Sequence, residues 1–264
     1  VEWWLGYAAI GVAVGFFAGM LGIGGGAIMV PLLVMLFEAQ GLPKAHILHL
    51  AVGTGMATIL FTSISSVRAH AARGVIRWDI ARRITPGILL GGLAGSWIAS
   101  FIPTAVFAAI FTGVIYIAAT NLLLDRKPRA LREPPGWAGM FVFGFLVSAL
   151  SAFTAIGGAF MTVPFMLWCN VPMLQAIGTA AVIGFPIALS GTIGFVVTGL
   201  RETGLPPASV GYVFLPALGG IVVASMLVAP LGAAAAHRLP TLWLKRIFAL
   251  LFYVMATRML ITFL

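Results

Sequence analysis

The chain has 264 residues, a mean hydropathy of +1.12 and a 61% share of hydrophobic residues, and it carries charge on only 8% of its positions. A water-soluble fold of this size needs about a quarter of its residues charged to cover its surface, so lipid is the solvent this composition suits. At roughly 20 helical residues per crossing it supplies at most about ten spans joined by short loops, with no room for an extramembrane domain.

The net charge of +9 does not indicate nucleic acid, because the cations fall in small clusters between long apolar runs without interleaved aromatics. Cys169, the single cysteine, excludes a disulfide within this sequence and a thiolate metal site, and it reads as core packing. Val1 to Phe37 lacks a basic leader and stays apolar too long for a cleaved signal peptide, so it is read as mature structure.

In chain order the sequence predicts a helical hairpin broken around Gly22 to Gly26, then spans over about 46–68, 82–101 and 104–124. A polar linker over 125–135 follows. A second hairpin, broken around Gly157, precedes spans over about 173–198, 208–232 and 241–263. The uncharged run from Pro134 to Leu200 is too long for one crossing and must turn back at or within the membrane.

The sequence also repeats. Ile23-Gly24-Gly25 with Val30-Pro31 recurs as Ile156-Gly157-Gly158 with Val163-Pro164, and Gly53-Thr54 recurs as Gly178-Thr179. Pro86 matches Pro216, and Pro103-Thr104, Ile110-Phe111, Tyr116 and Ala119-Thr120 match Pro240-Thr241, Ile247-Phe248, Tyr253 and Ala256-Thr257. Blocks in the same order at separations of 125 to 137 residues imply two homologous halves, 1–124 and 136–264.

Twelve of the 15 Lys and Arg residues fall in three clusters: Arg68 to Arg83, Arg126 to Arg132, and Arg238 to Arg246. The positive-inside rule makes these cytoplasmic. With the span count above, the halves are then inverted and both ends of this sequence face outward. The expected fold class is an all-α polytopic membrane protein of two inverted repeats, each a broken-helix hairpin followed by three transmembrane helices, in a bacterial inner membrane.

The short apolar segments after each glycine cluster, Ala27 to Phe37 and Ala159 to Cys169, read as half helices. Their N-terminal amides, free within the membrane, can bind an anion, with Gly24, Gly25, Gly26, Gly157 and Gly158 allowing close approach. Tight helix packing is the alternative for one such cluster, and duplication in both halves favours a site. Gly53-Thr54-Gly55 and Gly178-Thr179 are a second pair, whose hydroxyls can donate to an oxyanion. Thr54→Val and Thr179→Val are then expected to weaken anion binding with little loss of folded protein. His49, one turn before Gly53, and Arg258, in the last span, are candidates for the access path. His46 and His49 stand three apart but lack a nearby third ligand, so no metal is expected.

The run Gly15-Phe16-Phe17-Ala18-Gly19-Met20-Leu21-Gly22-Ile23-Gly24-Gly25-Gly26, then Pro31 and Ala51-Val52-Gly53-Thr54, resembles the opening of the sulfite exporter TauE/SafE family, and Ile156-Gly157-Gly158, Pro164 and Ile177-Gly178-Thr179 resemble its repeat. The resemblance implies a multi-pass permease for small anions such as sulfite, sulfoacetate and other organosulfonates, and in some members small carboxylates. Family members often carry Gly-Thr-Ser in the first half, where this chain has Gly55 after Thr54. The expected partners are a small anion, the bilayer and other copies of the chain, with no cofactor. An anion channel is the alternative within transport. An intramembrane enzyme is disfavoured because the sequence has no His-Glu-x-x-His, no Gly-x-Ser-x-Gly and no carboxylate inside a predicted span.

Overall fold

The computed structural model describes residues 2–21, 25–124, 133–236 and 241–263. These form ten helices: α1 (Glu2–Leu21), α2 (Gly26–Ala39), α3 (Lys44–Ala72), α4 (Trp78–Phe101), α5 (Thr104–Leu124), α6 (Trp137–Ala152), α7 (Ala159–Trp168), α8 (Met173–Gly199), α9 (Leu215–Ala236) and α10 (Thr241–Phe263). Among the described residues, five helices are long and apolar enough to cross a membrane, namely α3, α4, α5, α8 and the Arg246–Phe263 part of α10. Most of the linker, with Arg126 to Arg132, lies outside the described residues, as does Gly24.

The two hairpins break where the glycines stand. At 1.5 Å per residue α2 and α7 are only about 21 Å and 15 Å long, short of a bilayer core of about 30 Å. The second break runs over 153–158 and holds Ala155 at φ +49°, a left-handed value that a side chain adopts with strain.

One expected span starts late. The sequence predicts helix from 208, but the chain first makes an antiparallel pair, β1 (Ser209–Val210) with β2 (Val213–Phe214), and α9 begins only at Leu215. Pro206 and Pro207 cannot donate amide hydrogen bonds, and Ala208 at φ +68° and Gly211 at φ +55° are both left-handed, so no helical turn can nucleate there. A two-stranded ribbon of this length has little stability alone, and this one is held by the helices it touches.

Helices of the two halves pack against one another in a crossed pattern. α1 lies on α9 and α6 on α4, while α3 packs on α8 and α5 on α10. Glycine seams set the close approaches. A Cβ on Gly87 or Gly91 would come within 2.0 or 2.1 Å of the Phe141 or Phe145 carbonyl oxygen of α6, and one on Gly15 within 2.6 Å of Ser225 of α9. Small residues at membrane helix crossings let backbones meet where lipid offers no hydrophobic drive. Between α5 and α10, Tyr116 Oη is 2.8 Å from Thr257 Oγ1 and Tyr253 Oη is 2.6 Å from Thr120 Oγ1, so the two helices run past each other in opposite directions.

The outer surface is apolar. Leu5, Phe101, Leu227, Leu250 and Ile261 are each 67–73% exposed, as suits a lipid-facing shell. Cys169 is buried in the core. Gly91→Leu should therefore separate α4 from α6 and abolish the folded peak of detergent-extracted protein in size-exclusion chromatography, because overpacking costs about 1–3 kcal/mol even where neighbours are side chains that can yield. Gly219→Ala, where an added Cβ meets open space, should elute as the parent does.

Candidate functional site

Each Gly-Thr pair receives an extended segment from the opposite half. Thr54 Oγ1 on α3 accepts a hydrogen bond from the Phe214 amide at 3.0 Å, and Thr179 Oγ1 on α8 accepts one from the Arg77 amide at 2.9 Å. The glycines make room. A Cβ on Gly53 would be 2.4 Å from the Tyr212 carbonyl oxygen, and one on Gly178 would be 3.0 Å from that of Val75. The two arrangements correspond across the repeat, since Val75 and Arg77 stand 137 residues before Tyr212 and Phe214. Both threonines are fully buried, and each hydroxyl keeps its own proton to donate. Arg77 also pairs with Asp79 at 2.7 Å in an exposed bridge worth little to stability, and the carboxylate raises the guanidinium pKa further, so the cation is permanent.

The two helix breaks meet at the centre. The Ala155 carbonyl stands over the Gly26 α-carbon so closely that a Cβ there would overlap the oxygen, and Gly55 faces the Ala155 methyl group. Gly25 packs on Val14, and Gly158 on Ile187 and Val147. The structure therefore brings Gly25, Gly26, Gly55, Gly157 and Gly158 to one region, with Thr54 next to Gly55 on α3, whereas Thr179 lies against the Val75 to Arg77 segment. At the start of α7 the Gly158 carbonyl accepts from Met161 and Thr162, while among the described residues the Phe160 amide has no partner. A small cavity opens beside it, lined by Ser151, Thr154, Gly158 and Phe160 among others.

His49 is buried, with Nε2 3.0 Å from the Ala99 carbonyl oxygen, its ring stacked on Tyr212 and edge-on to Phe107. The His49 Nδ1 has no partner. Among the described residues no group of three His, Cys, Asp or Glu could hold a metal. Arg258 lies on the exposed face of α10, away from the helix breaks. The extended segments at Val75 to Arg77 and Tyr212 to Phe214 carry no signature in the sequence, because they are gripped by backbone amides and carbonyls and share no side chains.

The family model described as Sulfite exporter TauE/SafE matches residues 7–259. The chain belongs to this family. Among curated TauE/SafE relatives it is similar to a probable membrane transporter protein of Haemophilus influenzae, 34% identical over 95% of both chains. Others are the probable membrane transporter protein YdhB of Bacillus subtilis, 27% identical over 88% of this chain and 89% of the relative, and one of Methanocaldococcus jannaschii, 26% identical over 78% and 76%. No solved structure matches significantly.

The amide hydrogen bonds change what the threonines of this TauE/SafE protein predict. Removing the Thr54 hydroxyl leaves the buried Phe214 amide unpartnered, a loss of about 1–3 kcal/mol, and removing that of Thr179 leaves the half-buried Arg77 amide unpartnered at a smaller cost. Thr54→Val and Thr179→Val should each lower the apparent melting temperature of the purified protein by several degrees, whereas Thr→Ser at either position should hold it within about a degree. A melting curve unchanged by both valines would remove the two bonds from the stability of the fold.

Proposed function

We propose that this multi-pass membrane transporter carries small oxyanions, sulfite or short organosulfonates, along a path between two inverted halves. The observation that carries the reading is the meeting of the two helix breaks at Gly26 and Ala155, each next to a half helix too short to span. Free amides at a half-helix N-terminus and the positive end of its dipole suit an anion in a medium that offers no water. Gly24, Gly25, Gly157 and Gly158 form the seat in this reading, with Gly26 covered by the Ala155 carbonyl. Gly53, Thr54, Gly55, Gly178 and Thr179 position the segments that flank it and have a hydroxyl proton to contribute. His49 lies on the approach, and Arg258 stands outside the seat.

Two features support inversion. α5 and α10 correspond across the repeat and run in opposite directions, and the packing of α1 on α9 is matched by that of α6 on α4. The three basic clusters are then cytoplasmic, both ends of this sequence lie outside, and the membrane is the bacterial inner membrane. Rocking of one half against the other gives alternating access.

Movement is electrogenic and driven by voltage. The carboxylates of Glu38 and Asp79 stand at helix ends, and those of Glu133 and Glu202 between helices, none of them midway along a span where a coupled proton is carried. A potential of 100 mV is worth about 2.3 kcal/mol for a monovalent anion, which sustains a gradient of about fiftyfold without a coupling ion. In proteoliposomes with clamped potential and no pH gradient, sulfite or methanesulfonate flux should saturate with concentration and follow the voltage in size and direction. Flux indifferent to voltage and abolished without a proton gradient would replace this reading with symport.

A further inference from the structure

The turn from α3 into α4 carries cations that the rest of the fold leaves unpaired. Arg68, Arg73, Arg82 and Arg83 are all exposed, and among the described residues none of them lies within ion-pair distance of a carboxylate. Asp79, the one acid in this stretch, is taken by Arg77. The entry to α9 in the second half has no such cluster, since no Lys or Arg occurs between Glu202 and Ala236.

Arg82 and Arg83 are set apart from the others by where they stand on α4. Leu90, Leu93 and Trp97 are 39–56% exposed, an apolar face that suits a covering of lipid. Arg83, Leu90 and Trp97 follow one another at seven residues, or two helical turns, and Arg82 precedes Leu93 by eleven, or three turns. The two arginines therefore head the same lipid-facing stripe. Beyond them α4 runs uncharged from Ile84 to Phe101, about 27 Å, close to a hydrocarbon core of about 30 Å, which sets both guanidiniums at the level of the headgroups. Trp78, 48% exposed and one turn before Arg82, stands at the aqueous edge of that layer, where indoles collect.

We infer that Arg82 and Arg83 form a binding site for an anionic phospholipid, with its phosphate held by the two guanidiniums, its headgroup against Trp78 and its acyl chains along Leu90, Leu93 and Trp97. A guanidinium presents paired N–H donors that match two phosphate oxygens, and an arginine stem is long enough to reach them from the edge of the core. A zwitterionic headgroup brings a cation of its own to a place that already holds several, so a net negative one is preferred. The site goes beyond the transport reading and does not depend on what is carried.

The test uses the delipidated, detergent-purified full chain, with phosphatidylglycerol, phosphatidylcholine and soluble glycerol 3-phosphate as probes and thermal shift and native mass spectrometry as readouts. Phosphatidylglycerol should raise the apparent melting temperature several degrees more than phosphatidylcholine does and stay bound as a discrete adduct, while glycerol 3-phosphate, which lacks the chains, should do neither. Arg82→Gln combined with Arg83→Gln should melt as the parent does in detergent alone, because neither side chain has a partner to lose, and should weaken phosphatidylglycerol binding roughly tenfold or more. The corresponding pair of lysines should bind with intermediate strength. Arg201→Gln, which removes an exposed cation between α8 and β1, should bind as the parent does. Equal shifts of the parent by the two lipids would overturn the inference whatever the variants do. A glutamine pair that binds phosphatidylglycerol unchanged would place the headgroup elsewhere and overturn the site. Stabilisation by glycerol 3-phosphate equal to that by the lipid would make it a site for soluble phosphate and overturn the lipid assignment. None of these failures touches the transport reading, which rests on anion flux.

Discussion

A peptide amide or carbonyl that leaves a helix inside a bilayer has no water to turn to, and much of this structure follows from where those groups find partners. An unsatisfied backbone group in hydrocarbon costs several kcal/mol, more than the packing of any single side chain returns. Here the solution is reciprocal. The segment entering α9 is tied by its buried Phe214 amide to Thr54 on α3, and the half-buried segment entering α4, beside the basic cluster, is tied by its Arg77 amide to Thr179 on α8. The Tyr212 amide goes to the Phe195 carbonyl at 3.1 Å. Each sequence half therefore supplies one threonine to the connecting segment of the other, alongside bonds such as Tyr212 to Phe195 made within a half.

The same economy fails at the helix breaks, and its failure is what makes them chemically interesting. A break exposes amides at the start of the next half helix, and small side chains bring the opposing backbone close without satisfying them. At Gly26 the vacancy above the α-carbon is filled by a carbonyl, whose negative end takes the place an oxyanion would want. Beside Gly158 a narrow crevice remains, lined in part by Ser151, Thr154 and Phe160.

Much of this was legible in the sequence, and the reason is that glycine leaves a trace. Gly22 to Gly26 and Gly157-Gly158 marked the breaks, Gly53-Thr54 and Gly178-Thr179 marked the faces where another backbone comes close, and the long apolar runs marked α3, α4, α5 and α8. What could not be read were the groups on the other side of each contact. Val75-Ile76-Arg77 and Tyr212-Val213-Phe214 share no residue, because the threonine grips an amide that every residue but proline carries. The expected helix from 208 failed because hydropathy continues through Ser209 to Phe214 while Ala208 and Gly211 turn left-handed, a feature that apolar composition conceals.

These contacts also link the approach to the seat with the stability of the fold. His49 Nε2 lies against a carbonyl oxygen, which can only accept, so the ring proton resides on Nε2, and Nδ1 is left without a partner in a site walled by aromatic rings. One of those rings is Tyr212, on the ribbon that Thr54 holds, and another is Phe107, which touches Phe153 at the α6–α7 break. In the proposed path a solute passing His49 displaces Tyr212, whose ring stacks on it. Tyr212 cannot move far while the Phe214 amide two residues on is bonded to Thr54, so in the proposed path opening on this side breaks the hydrogen bond that seals it. By the repeat, opening on the other side breaks the one between Arg77 and Thr179. A carrier needs its two gates to exclude each other, and in the proposed path each of these segments is fastened by a threonine of the opposite half.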